Sequence, residues 1–345
     1  MTKMPSLVTL DDVRQVLTEL PGPDVEAARA AQAREPQLTK PAGSLGRLEQ
    51  LAAWTATWQG RYPPRMKNPN AHVFAGNHGV VAQGVSAFPQ EVTKQMVANF
   101  ERGGAAINQM CKALGVGLCV EQMDLDNPTR DFTENPAMSE SECVEAIQFG
   151  MNVIEASSDV ACLGEMGIGN TTAASAICLA LFGGNALHWA GPGTGLDKPG
   201  IGRKAEVIGI GVKLYKDYMH DGLDALRCLG GREMAAIAGA VIGARLKKVP
   251  VMLDGFVSCA AASVLPSVNK RALDHCKVGH VSQEPGHKHL LEKLGKVALM
   301  DQHMRLGEAT GAVLAVSLLK AAVECHNGMA TFAEAGVSDK DAEAE

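Results

Sequence analysis

The chain is poor in aromatic side chains: eight Phe, three Trp and three Tyr make up 4% of its 345 residues. A core built with so few rings must close through small residues, and the 37 glycines suit tight helix–sheet packing and backbone contact with a ligand. No long basic run occurs and the formal net charge is −6, which argues against nucleic acid as a partner. No apolar run reaches the ~20 residues that a membrane helix needs. The opening stretch MTKMPSLVTLDDVRQVL carries acids within its first apolar segment, unlike a secretory signal. None of the nine cysteines forms a C-x-x-C pair and several sit in apolar runs, so they read as reduced, mostly buried small hydrophobes of a cytoplasmic protein. There is no internal repeat and no low-complexity linker.

The familiar catalytic signatures are missing too. The loop 164–172, GEMGIGNTT, has no Lys after its last Gly and is not a Walker loop. GPGTG at 191–195 lacks the third Gly of a dinucleotide fingerprint. No H-E-x-x-H or G-x-S-x-G is present, and His78 and His280 have no Cys or acid at ligand spacing, so no metal site is expected.

What is present is an alternation. Short apolar segments at 71–76, 117–125, 160–166, 186–191, 249–255 and 276–282 read as buried strands. Amphipathic stretches at 89–113, 138–157, 171–183, 200–217, 231–246, 255–266 and 284–294 read as helices between them. This predicts an α/β protein with a doubly wound, mostly parallel sheet covered by helices on both faces. Residues 10–60 and the stretch 311–332 read as helical without strands, with Ser44 a candidate cap. The expected organisation is a small helical domain from 1–60 and 300–345 and a nucleotide-binding α/β domain from 61–299. The acidic end SDKDAEAE reads as frayed.

In open parallel sheets ligands bind beyond the carboxyl ends of the strands, and glycine-rich polar loops follow five of the six segments. In 164–172 the backbone around Gly167, with Asn170, Thr171 and Thr172 at a helix start, could cradle an anion or simply cap the helix. A carboxylate at Glu165 would repel that anion and needs another role. Lys204, beyond the 191–195 loop, could face a phosphate or be a solvated surface lysine. Glu308, between Gly307 and Gly311 in MRLGEATGA, is either a first-turn acid or a catalytic one.

Seven motifs in order carry a resemblance: KPAGSLGRLEQLA, AGNHGVVAQGVSAFPQEVT, GEMGIGNTTAA, GTGLD, LDGFVSCAAA, SQEPGH and MRLGEATGA. Together, over about 38–336, the chain resembles the nicotinate-nucleotide–dimethylbenzimidazole phosphoribosyltransferase family. Asn77 and Ala309 stand where many relatives have Asp and Gly, and Phe88 where others have Tyr or Ser. The resemblance implies transfer of phosphoribosyl from nicotinate mononucleotide to 5,6-dimethylbenzimidazole by a homodimer, with no cofactor. It implies Glu308 as the catalytic base and Glu165 as a second active-site carboxylate. Gly193, Thr194 and Lys204 would lie on the phosphate side, and Phe88, Met304 and Leu306 around the benzimidazole. Ser282, in the loop after the last segment, joins Gly167, Asn170 and Thr171 among the expected substrate contacts. A nucleotide-dependent oxidoreductase and a non-catalytic nucleotide carrier are the competing classes. The missing fingerprint speaks against the first and the retention of both carboxylates against the second.

Overall fold

The computed structural model describes residues 4–338, so the expectation of a frayed acidic end falls almost wholly outside the described residues. Three helices, α1 (Leu10–Thr18), α2 (Val25–Arg34) and α3 (Arg47–Gln59), precede the first strand, β1 (Pro69–Ala75). Then come α4 (Val92–Glu101), α5 (Ala106–Leu114), β2 (Gly117–Gln122), α6 (Glu140–Val153), β3 (Val160–Met166) and α7 (Asn170–Phe182). After α8 (Ala186–Trp189) follow α9 (Lys198–Tyr215), α10 (Gly222–Leu229), α11 (Arg232–Leu246), β4 (Val251–Leu253), α12 (Phe256–Ala262) and β5 (Cys276–Val278). The described chain closes with α13 (Gly286–Leu294), α14 (Thr310–Gly328) and α15 (Phe332–Ala335).

The five strands form one parallel sheet in the order β2-β1-β3-β4-β5. Every residue of β3 is buried except its last, as an apolar run covered on both faces requires. One face supports a core from Phe74, Leu163, Ile147 and Ile237, with α6, α7, α11 and α12 over it and α1 tucked against α6. The other face carries Ala71, Val73 and Cys162 under α3, α5 and α14, with α14 packing on both α3 and α5. The order reverses between β1 and β3, so the crevice beyond their carboxyl ends is where a ligand is expected.

Several local expectations fail for physical reasons. Segment 186–191 is not a strand: the Asn185 side chain accepts a hydrogen bond from Leu187 N at 2.9 Å and starts the one-turn α8. Trp189 Nε1 donates to Gly183 O at 2.9 Å, and that contact anchors the turn. The stretch 89–113 is two helices, broken at Gly103–Gly104, and α10 falls between the stretches that read as helical. Ser44 does not cap α3. Gly46 holds the N-cap at φ 54°, and the Glu49 side chain accepts from Leu45 N at 3.1 Å instead. Seven of the nine cysteines are buried, Cys325 is half-buried and Cys119 is exposed.

Candidate active site

A cleft of about 280 Å³ opens at the carboxyl ends of the strands. Its walls come from the loops after β3, β4 and β5, from 193–194, from Phe88 and from 305–307. Glu165, Gly167, Asn170, Thr171, Gly193, Thr194, Phe88, Leu306 and Ser282 all line it. Glu308, Lys204 and Met304 do not.

Glu165 is the penultimate residue of β3 and lines the cleft from a buried position. One of its carboxyl oxygens accepts from the Asn170 side chain at the start of α7. The turn between them needs Gly169, whose φ of 96° a side chain would oppose. Asn170 therefore serves the carboxyl of Glu165 and makes no side-chain cap for α7.

Glu308 approaches from the turn before α14. Gly307, Glu308 and Ala309 stand at φ 83°, 59° and 63°, three successive left-handed residues. Ala309 adopts a conformation in which glycine would rest freely, and such strain persists only where the surroundings enforce it. They do: Glu308 N donates to Glu165 O at 3.1 Å, and Ala312 N donates to Asp254 Oδ1 at 3.0 Å. The seam is possible because position 164 is glycine. A Cβ there would come 2.0 Å from Ala309 N. Glu308 is therefore no ordinary first-turn acid; it precedes the helix, is buried, and its Oε2 has no partner among the described residues.

The electrostatics follow from burial. Glu308 is pushed up to about 7 by desolvation. Asp254, also buried, rises to about 7 for the same reason, against the pull of backbone N–H groups at the start of α14. Glu165 rises to about 8 through burial first, then the negative fields of Asp254 and Glu233. Burial and these fields together favour the protonated form of Glu165.

Lys204 is fully buried, not solvated. Its Nζ donates to Thr171 Oγ1 at 2.8 Å and to Gly191 O at 3.1 Å, behind the cleft wall. Burial pushes it down to about 8, with Glu284 opposing. Gly193 N donates to Glu284 Oε1 at 3.0 Å, so that N–H is already engaged. Met304 serves through its backbone, accepting from Gln283 N at 3.0 Å.

Arg305, His280, Glu284, Phe256 and Val257 line the cleft and were not among the expected contacts. Arg305 is the only Lys or Arg on the lining among the described residues, and its Nη1 donates to Gly193 O at 3.2 Å. The signal was available: Arg305 sits between Met304 and Leu306 in a motif already singled out. His280 could not be found that way. It is buried, with Nε2 3.7 Å from Asp254 Oδ1, and only the sheet aligns the two loops.

A family model described as phosphoribosyltransferase matches residues 20–337. A nicotinate-nucleotide–dimethylbenzimidazole phosphoribosyltransferase of Rhizobium meliloti is 55% identical over 331 residues, 96% of this chain and 98% of that protein. One of the same name from Brucella canis is 55% identical over 328 residues, 95% and 97% of the two chains. Among solved structures, a CobT from Thermus thermophilus superposes with a TM-score of 0.82 at 39% identity, covering 91% of this chain and 99% of that one.

Proposed function

The chain belongs to the nicotinate-nucleotide–dimethylbenzimidazole phosphoribosyltransferase family, and from that premise we propose how its cleft performs the transfer. It is a pentosyltransferase. It moves the phosphoribosyl group of nicotinate mononucleotide onto 5,6-dimethylbenzimidazole, giving α-ribazole 5′-phosphate and nicotinate for the lower ligand of cobalamin.

The bond from the ribose to the pyridinium nitrogen breaks with its electron pair returning to that nitrogen, so the departing ring needs no acid. One benzimidazole nitrogen forms the new bond to the same carbon from the opposite face, which inverts it. The proton on the other ring nitrogen becomes acidic as that bond forms, and Glu308 accepts it. The observation that carries this reading is the Glu308 carboxyl itself: buried, with Oε2 unpartnered among the described residues and its pKa lifted to about 7. A base poised there is half ionised near neutral pH and keeps enough basicity to take the proton. Glu165 answers the charge that builds on the ribose once the nucleotide's cationic ring has lowered its pKa. Gly167, Asn170 and Ser282 contact the nucleotide. Thr171, Thr194 and Arg305 seat the phosphate, with Gly193 and the buried Lys204 holding the loop that carries them. Phe88, Leu306 and Met304 surround the incoming base. Positioning of two rings about one ribose supplies much of the acceleration.

In the same reading the enzyme works as a cytoplasmic homodimer. Phe88 and Leu306 are 47% and 55% exposed on the cleft lining, apolar surface that a second copy would cover. Of the division expected from the sequence, 1–60 with 300–345 and 61–299, α2, α3 and α14 pack together as the smaller unit, while α1 lies against α6 of the larger one. The deciding experiment incubates the pure protein with nicotinate mononucleotide and a panel of bases. α-Ribazole 5′-phosphate and stoichiometric nicotinate, identified by mass, are expected. Failure to release nicotinate with any benzimidazole would sink the assignment.

A further inference from the structure

We propose that the outer edge of the sheet, away from the cleft, binds one thiophilic divalent cation of the zinc class through His72, Cys119 and Glu121. The register makes the site. In the parallel pair β1–β2, His72 lies opposite Cys119 and Phe74 opposite Glu121. Side chains alternate faces along a strand, so Cys119 and Glu121 share one face, and the aligned His72 joins them. A ring nitrogen of His72, the Cys119 sulfur and a Glu121 carboxyl oxygen all lie within 4.8 Å of one another. His72 Nδ1 is 3.2 Å from Glu121 Oε1.

The surroundings favour a cation over a plain hydrogen bond. His72 is 3% exposed and stacks on Phe74 at 6.2 Å between centroids, which fixes its ring. Cys119 is the one exposed cysteine among the described residues, so an ion can reach its sulfur from solvent. Sulfur, nitrogen and oxygen donors together select zinc-like ions over calcium or magnesium. Burial, then the negative fields of Glu121 and Glu155, hold the Cys119 thiol above its ordinary value. A dication reverses that field: the thiol proton leaves to solvent and the sulfur–metal bond forms. β2 has only β1 as a neighbour, so the ion would fasten the edge strand through side chains as well as the ladder. None of the three residues lines the cleft.

The test uses the full-length protein, stripped of metal and titrated with cobalt(II) alone. One equivalent should bind with thiolate-to-cobalt charge-transfer absorption, shield Cys119 from alkylation and raise Tm. Cys119→Ser should lose the absorption and the Tm increase while keeping turnover. Glu121→Gln should weaken binding with the fold intact, which avoids relying on the buried His72. Absence of the absorption, its persistence in Cys119→Ser, or equal alkylation of Cys119 with and without cobalt would overturn the proposal.

Discussion

Where α6 crosses α11, glycines let two helices touch through their main chains: a Cβ at Gly150 would lie 1.9 Å from Ala236 O, and one at Gly239 1.9 Å from Ile147 O. Where β3 meets the turn before α14, Gly164 does the same, with a Cβ 2.0 Å from Ala309 N. The steric device is one and the same; the neighbours differ. From Met234 to Ala244 every residue of α11 is buried and is Ala, Gly, Ile, Val or Met, and the close approach simply maximises dispersion contact. Around Gly164 the residues brought together are Glu165, Glu308 and Asp254, and Glu308 Oε2 and Asp254 Oδ2 have no partner among the described residues. Burial without partners costs stability and raises carboxyl pKa values. A close backbone contact is therefore neutral in itself; the chemistry packed around it decides whether it stabilises the fold or holds a reactive group.

Substitutions can break that contrast. Glu308→Gln should lower turnover by roughly 10²–10⁴-fold, the usual range for losing a general base, while Tm stays level or rises because a buried acid is gone. Steady-state kinetics and a thermal melt measure both; unchanged turnover would remove Glu308 from the base role. Gly164→Ala should shift the Glu308 turn and cost up to about 10²-fold in turnover, with a smaller change in melting. Gly239→Ala is its mirror: about 1–3 kcal/mol of stability lost in denaturant unfolding, with turnover per folded molecule preserved. A Gly239→Ala variant that folds normally but turns over slowly would erase the distinction. Arg305→Met should raise KM for the nucleotide about tenfold, about 1.4 kcal/mol, with kcat little changed.

The smallest effects are in pH. Glu308 acts ionised, so kcat/KM should climb through pH about 7 and flatten above it. Stability runs the other way. The folded-state pKa values of Glu165, Asp254 and Glu308 lie above their ordinary ones, so their contribution is full below the ordinary carboxylate range and is lost as pH rises through about 7 to about 8. Melts without added substrate should show that decline, and Glu165→Gln should flatten it. The α6–α11 contact, having no such groups between Met234 and Ala244, should add nothing to the slope.

Much of the cleft was legible because its parts are loops with unusual composition, and nine of the twelve expected site residues line it. The exceptions are instructive. Lys204, expected on the phosphate side or else solvated, is buried behind the cleft wall instead, because helical spacing does not report which face of α9 the 191–195 loop will cover. Segment 186–191 looked like a strand because one helical turn anchored by a single buried ring, Trp189, and a short strand share an apolar pattern. Glu165 was legible as a second carboxylate, but the burial and the packing of Asp254 and Glu233 nearby that raise its pKa come from distant parts of the chain.

By itself the sequence determined the alternation of buried strands and helices, the glycines at the strand ends and the presence of two acids among them, since these depend on local pattern and on residues within a few positions. Only the tertiary structure decided what the acids are: their separation from water, their mutual field and the left-handed turn that presents Glu308. Those properties belong to groups far apart in the chain: Asp254 and Ala312 are separated by 58 positions, and Glu165 and Glu308 by 143, from 308 − 165. The sheet register and the glycine at 164 bring them together, and no local signal can encode a field made by so distant a neighbour.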